Sequence, residues 1–393
     1  MRFAIGCAIS LLLLVCASHS QQVGPETDIQ DLALKAPLLN TSPGPEYTGS
    51  RRLFQGIPGL ERTRNGRLWA TWYGGGKGED QDNYCMLATS GDNGATWSTI
   101  KAVVDPAGDV RAFDPCLWID PKDTLWFFWA QGFNHWDGRA GVWCVTTNEP
   151  DNETPSWTEP RRICDGIMMN KPTVLSGGTW MLPVAIWAFP AEVMRPEYAH
   201  NIAGNSGSKA YGSTDQGATW NLLGYSDVNG RSCDEHMIVE RKDNSLWMLV
   251  RTDYGVGESI SLDGGKTWSP GQPCTTITHI PSARFFIRRL ASERILLVKH
   301  NPPNGKIRSH LTAYLSDDDG KSWNGGLVVD ERKSVSYPDG VQAPDGTIYI
   351  IYDFERKAAR EILLATFTED DVMKGQFASG MARPRVLVNK ATN

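Results

Sequence analysis

Six short apolar runs recur along the chain at close to fifty-residue intervals: Leu68 to Tyr73, Leu125 to Trp129, Trp180 to Trp187, Leu246 to Val250, Ile295 to Val298 and Ile348 to Tyr352. Runs of this length, rich in Trp, Ile, Leu and Val and bounded by polar turn residues, predict buried β-strands rather than helices. Most follow a tight polar turn, such as Arg64-Asn65-Gly66, Lys122-Asp123, Lys242-Asp243-Asn244 or Pro344-Asp345-Gly346, the sequence mark of a hairpin. A second strand-like run follows each one.

In four of the six units that second run leads into one recurring phrase: Ser90 to Trp97 (SGDNGATW), Ser213 to Trp220 (STDQGATW), Ser261 to Trp268 (SLDGGKTW) and Ser316 to Trp323 (SDDDGKSW). The Asp and the hydroxyls suit a tight turn in which side chains bond backbone amides, the Gly supplies a positive φ, and the Trp plugs the space beneath. Thr146 to Trp157 reads as a degraded fifth copy with an insertion, and Thr366 to Asp371 stands where a sixth would fall. Six units of about four short strands predict an all-β, six-bladed β-propeller, a ring that leaves only short edges exposed. The repeats run from about Phe54 to about Val372, so residues 51–393 are assigned to the propeller, and the length needs no second domain.

The 15 Trp and 39 Gly suit blades that need large wedges between sheets and many tight turns. A net charge of −6 and the lack of a lysine-rich run give no electrostatic case for nucleic acid or an anionic membrane. Residues 1–20 read as a signal peptide: Arg2 supplies positive charge, Ala4 to Ala17 is apolar, and Ser18 and Ser20 offer small residues for cleavage. That apolar stretch is short of the roughly 20 residues a membrane span needs. The expectation is therefore a secreted or periplasmic protein with no membrane insertion after signal removal, and residues 21–50, rich in Pro, Ser and Thr, form a linker or outer strap. Of the six remaining cysteines, Cys85, Cys116, Cys144, Cys164, Cys233 and Cys274, most are expected as buried thiols, with room for one or two disulfides. Their spacing matches no metal site, and no cofactor is expected.

Residues preceding each apolar run should converge on the propeller axis. In chain order they are Gln55, Gly56 and Ile57; Arg111, Phe113 and Asp114; Asn170 and Lys171; Asp234, Glu235 and His236; Ser282 and Arg284; and Tyr337 and Asp339. A polar, ionisable ring of this kind points to a ligand pocket. His135 and Trp136 lie on a Gly-flanked loop suited to stacking on a sugar or to closing a blade.

The repeated Ser/Asp/Gly/Trp phrase resembles the Asp-box of sialidases (neuraminidases), and the resemblance to that superfamily extends over nearly the whole mature length. It implies an exported, exo-acting glycoside hydrolase that removes a terminal acidic sugar with retention of configuration. Three arginines would hold the substrate carboxylate, a Tyr activated by a Glu would act as nucleophile, and an Asp on a mobile loop as acid/base. Tyr337, in SYPDGVQAPDGTIYIIYD, matches the nucleophile; Glu235, in DEHMIVERKDNSLWMLVR, matches its activator; Arg251 and Arg308 match the second and third arginines. Asp80, then Asp82, fall where the family places the acid/base, on the acidic loop Gly74 to Asp82.

One departure stands out: the arginine expected just before Ile57-Pro58 is Gly56. Gln55, Lys171 and Arg284 are the candidates to replace it, and Asp114, His236 and His135 complete the expected substrate contacts. A guanidinium matches a carboxylate bidentately and stays charged, so losing one of three weakens anchoring of an acidic sugar without abolishing it. A Tyr beside a carboxylate gains a proton acceptor and, being neutral, does not repel an anionic substrate. Two further readings stay open: a uronate-directed polysaccharide lyase or hydrolase, with Tyr337 or His236 as base in the lyase, and a propeller that binds glycans without chemistry. The partner in every case is a glycan with an acidic sugar.

Overall fold

In the computed structural model, which describes residues 32–133, 140–187 and 206–392, the chain forms six antiparallel sheets arranged as the blades of a propeller. The signal-like residues 1–20 and the candidate His135 lie outside the described residues. Five blades are four-stranded meanders, and the first gains a fifth, outermost strand, because Leu39–Asn40 pairs with Ala102–Val104.

The six apolar runs are the second strands of the blades: Leu68–Gly75, Leu125–Phe133, Trp180–Ile186, Leu246–Thr252, Ile295–His300 and Ile348–Phe354. Each has a strand on either side and a neighbouring blade on either face, and so reads as nearly unbroken hydrophobic sequence. The innermost strands are the more polar segments before them: Phe54–Arg62, Val110–Ile119, Thr173–Val174, Met237–Glu240, Phe286–Arg289 and Val335–Gln342. Two consequences follow. The acidic loop after Gly75 leaves the second strand of blade one, not its inner strand. The ionisable residues at the axis sit on the bulged inner strands of blades one, two and six or just ahead of the short inner strands of blades three, four and five.

All four octapeptide phrases form the same turn. In the first, Ser90 Oγ donates to Asp92 Oδ1 and accepts from Gly94 N, while Asp92 accepts from both the amide and the hydroxyl of Thr96. The turns at Asp215, Asp263 and Asp318 repeat this network. The donors hold each of these carboxyls down at about 2, below the ordinary Asp value, with the Thr or Ser partner as the leading cause.

The phrase also joins blades. The glycine at its fifth position has a φ between 80° and 89° in every copy and lies against a side chain of the preceding blade: Gly94 on Leu364, Gly217 on Trp126, Gly265 on Met181 and Gly320 on Trp247. The fifth copy is replaced by a turn in which Trp157 packs edge-on against Trp69. At the sixth position a short helix, Glu369–Lys374, is capped by Thr368 and Asp371, and Asp371 also accepts from the amides of Ala378 and Ser379.

The ring closes without strand exchange. Blade one meets blade six through bonds from Ile57 N to Asp353 Oδ2 (2.9 Å) and Leu60 N to Asp339 Oδ2 (2.8 Å). The chain ends are tied by Arg52 to Asn389 and Thr392 N to Gly49 O. The six cysteines among the described residues are all free thiols, with no disulfide between them.

Candidate functional site

Three inner strands carry the same local device. At Ile57-Pro58, Asp114-Pro115 and Tyr337-Pro338 the pairing register shifts, and the residue before the proline adopts φ of 55°, 48° and 54°. A pre-prolyl residue favours extended backbone, so each left-handed residue costs on the order of 1–3 kcal/mol, which the surrounding sheet must offset. The bulge departs from the regular alternation of side chains along the strand. Blade four reaches a similar result by another route. Cys233, Asp234 and Glu235 are successive residues with φ of 53°, 44° and 43°. That turn is pinned by Arg231 and Ser208 on the Asp234 carboxylate and by Arg251 N on the Asp234 carbonyl.

The two devices bring residues 102 positions apart together: the Tyr337 hydroxyl donates to Glu235 Oε1 at 3.1 Å. Arg251 Nη1 lies 2.6 Å from the same oxygen, while Glu235 Oε2 is buried with no hydrogen-bond partner. Burial, then the Glu235 charge, pushes the Tyr337 hydroxyl well above the usual tyrosine range, so it rests neutral. Burial works against the Arg251 charge, but Glu235 and Tyr337 more than offset it. Arg308 stands 5.3 Å from the Tyr337 ring, bonded to Ser336 Oγ and the Ser282 carbonyl; among the described residues no carboxylate pairs with it. Ser282 Oγ in turn accepts from Arg251 Nε.

A third guanidinium completes the set. Arg356, in the turn after the second strand of blade six, lies 5.1 Å from the Tyr337 ring and pairs with Glu79 at 2.6 Å. It escapes sequence reasoning because it stands in an ordinary polar turn; the signal that could have found it is the missing side chain at Gly56, which it overlies. Arg308, Arg356, Ser336, Glu79 and Asp80 line a cleft of about 1000 Å³, together with Lys77, Lys333, Lys357 and Glu355.

Of the acid candidates, Asp80 lines this cleft while its carboxylate caps its own loop, accepting from the amides of Gly78 and Asp82. Asp82 is exposed. Asp114 is buried, and desolvation drives its carboxyl up to about 8; Arg111 opposes the shift, and Glu79 and Glu235 add to it. It is therefore largely protonated at neutral pH. Asp353, beneath Arg356, is raised to about 6 by burial against the pull of that arginine.

The three proposed substitutes for the first arginine are committed elsewhere. Lys171 is buried between Glu61 (3.1 Å) and Asp339 (3.4 Å) and also donates to Leu60 O and Leu117 O. Arg284 is held by Asn170 Oδ1 and the Met169 carbonyl, with Asp339 at 3.5 Å. Gln55 is wholly buried between Arg52, Trp72 and the Arg360 carbonyl. Asn170 links this floor to the site, since its Nδ2 donates to the carbonyls of Glu235 and His236. These groups stitch the inner strands together beneath the cleft and do not line it. His236 belongs with them: its Nε2 bonds the Lys209 carbonyl, and burial lowers its pKa to about 4, leaving a neutral ring. Among the described residues no group of three or more His, Cys, Asp or Glu side chains is placed to hold a metal.

Residues 64–350 match the BNR repeat-like domain. The chain is 27% identical to an anhydrosialidase of Macrobdella decora over 36% of its length and 21% of that protein, and 23% identical to a sialidase of Bacteroides fragilis over 76% of its length and 59% of that protein. It thus spans less than two thirds of either relative. Among solved structures it superposes on a Hadza microbial sialidase with a TM-score of 0.64 at 18% identity, covering 82% of this chain and 67% of that one. Six blades, the four repeated turns and these matches lead to one conclusion: the chain belongs to the BNR repeat-like family, within the sialidase superfamily of β-propellers.

Proposed function

We propose that the protein is a retaining, exo-acting glycoside hydrolase that removes a terminal acidic sugar of the sialic-acid type from glycans. The observation that carries the reading is the Tyr337–Glu235 hydrogen bond, with Arg251 on the same Glu235 oxygen and Arg308 and Arg356 over the Tyr337 ring. In the first step Tyr337 Oη bonds to the anomeric carbon while Glu235 takes the phenolic proton, and a protonated carboxyl delivers a proton to the departing oxygen. Asp80, on the cleft wall, is assigned that second role, with Asp82 after it. Water then displaces the tyrosyl oxygen with Asp80 as base, Glu235 returns the proton, and two displacements at one carbon restore the starting configuration. Arg251, Arg308 and Arg356 anchor the substrate carboxylate and stabilise negative charge developing on the phenolic oxygen.

The lyase reading loses one of its bases, since His236 is buried and bonded to a backbone carbonyl. Binding without chemistry is less well supported, because it gives no use to the Tyr337 hydroxyl held against Glu235. Export to a secreted or periplasmic location, resting on residues 1–20, is part of the same proposal. The test is release of 4-methylumbelliferone from its α-N-acetylneuraminide, with the β-glucuronide alongside. The sialoside is turned over, and Tyr337→Phe lowers kcat about 10³-fold or more with little change in KM. Equal turnover by that variant contradicts the mechanism.

A further inference from the structure

We infer that Arg356 is the specificity-determining cation of the cleft, supplied from blade six into the space that a side chain at position 56 would need, and that Glu79 occupies it until a ligand carboxylate takes its place. The inference rests on the acidic-sugar reading above and assigns a residue that the family pattern does not contain.

Position 56 and Arg356 exclude each other. A Cβ on Gly56 would collide with the Arg356 side chain, coming 2.6 Å from Cγ and closer still to Cδ, and would lie 2.8 Å from Asp353 Oδ2. The backbone locks the two together, since Gln55 N donates to the Arg356 carbonyl at 3.2 Å. The guanidinium is held between two rings, 5.1 Å from Tyr337 and 5.8 Å from Phe54. It is thus oriented toward the nucleophile before any ligand arrives, and such preorganisation cuts the entropic cost of binding.

Its one ion-pair partner among the described residues, Glu79, reaches it from the loop that carries Asp80. Both side chains remain partly open, at 25% for Arg356 and 34% for Glu79, so the pair sits at the cleft wall where a carboxylate from solution can compete. Glu79 therefore stands where a ligand carboxylate would pair with Arg356. Glu79 and Asp80 are adjacent on one loop, so recognition of the carboxylate and placement of Asp80 are coupled.

The test compares N-acetylneuraminic acid with its carboxyl methyl ester, measuring dissociation constants by NMR titration on the full chain alongside sialoside turnover. The wild type prefers the acid. Arg356→Ala weakens acid binding roughly 10- to 100-fold, as expected for loss of one charge-assisted pair, and leaves the ester unchanged. Gly56→Arg in that background restores the preference, and Glu79→Gln tightens acid binding several-fold. An acid-to-ester ratio unaffected by Arg356→Ala overturns the inference, as does a wild type that binds neither ligand. If Gly56→Arg fails to fold, the ratios for Arg356→Ala and Glu79→Gln decide alone. An Arg356-dependent preference without turnover would remove the hydrolase reading and leave this assignment standing.

Discussion

Tyr337 and Glu235 meet across the propeller axis, 102 residues apart in sequence and 3.1 Å apart in space, each delivered by backbone in the left-handed region. Glu235 Oε1 is shared, accepting from the phenol on one side and from Arg251 on the other. Removing either partner therefore has a different structural cost.

Tyr337→Phe deletes one hydroxyl and leaves the Glu235–Arg251 pair in place, so the melting temperature should stay within about 2 °C of wild type. Glu235→Gln leaves a largely buried guanidinium without its counter-charge. The cost of breaking such a pair, discounted because Arg251 keeps some solvent contact, is about 1–3 kcal/mol. Thermal denaturation of the two variants should separate them in that order.

Asp114 makes stability depend on pH in a defined direction. Its carboxyl, at about 8 in the folded protein, holds a proton that the unfolded chain gives up near 4. Below pH 4 both states are protonated and nothing is lost. From 4 to 8 the folded state is progressively penalised, and above 8 the full penalty applies. Asp114→Asn removes this ionisation, and Asn tolerates the local φ of 48°. The variant should gain ~1–4 kcal/mol over wild type at pH 7.5 and little at pH 4.5, read from denaturation midpoints at the two pH values. An equal difference at both would place the shift elsewhere.

The repeated turns carry the opposite linkage. Asp92, Asp215, Asp263 and Asp318 sit at about 2, below their unfolded value, so their stabilisation is complete above pH 4 and is lost as pH falls through 2. The melting temperature of Asp92→Asn should lie below that of wild type at pH 7 and converge with it near pH 2. These groups face solvent, so each effect is small.

The glycine of the turn is predicted to matter more than its aspartate. Gly217 has φ of 81°, and a Cβ there would lie 2.7 Å from the Trp126 ring of the preceding blade. Gly217→Ala combines backbone strain with a wedge between blades and should cost about 2 kcal/mol or more in a urea titration. A neutral result would mean that blade contacts yield more readily than this packing implies.

The four turns and the blade count were legible because their information is local: Ser, Asp, Gly and Trp at fixed offsets specify one hydrogen-bonded loop wherever they occur. That Tyr337 and Glu235 would meet was legible through their sequence context, and the second-strand hydrophobic runs through burial on both faces. The floor of the ring was not. Lys171, Arg284 and Gln55 have the composition of a ligand site, yet residue type does not say which level of the axial channel a side chain occupies, and Glu61, Asp339 and Asn170 claim two of them. Arg356 was missed for the converse reason. Its approach to Gly56 depends on how blade six closes against blade one, a contact between positions 300 residues apart.

The covalent role of Tyr337 is tested most directly by trapping. The protein is incubated with a 2,3-difluoro analogue of N-acetylneuraminic acid, whose glycosyl-enzyme hydrolyses slowly, and the adduct is mapped by peptide mass spectrometry. The account predicts one glycosyl adduct on the peptide containing Tyr337, absent from Tyr337→Phe; an adduct on any other residue, or turnover of the analogue with inverted product, would contradict it.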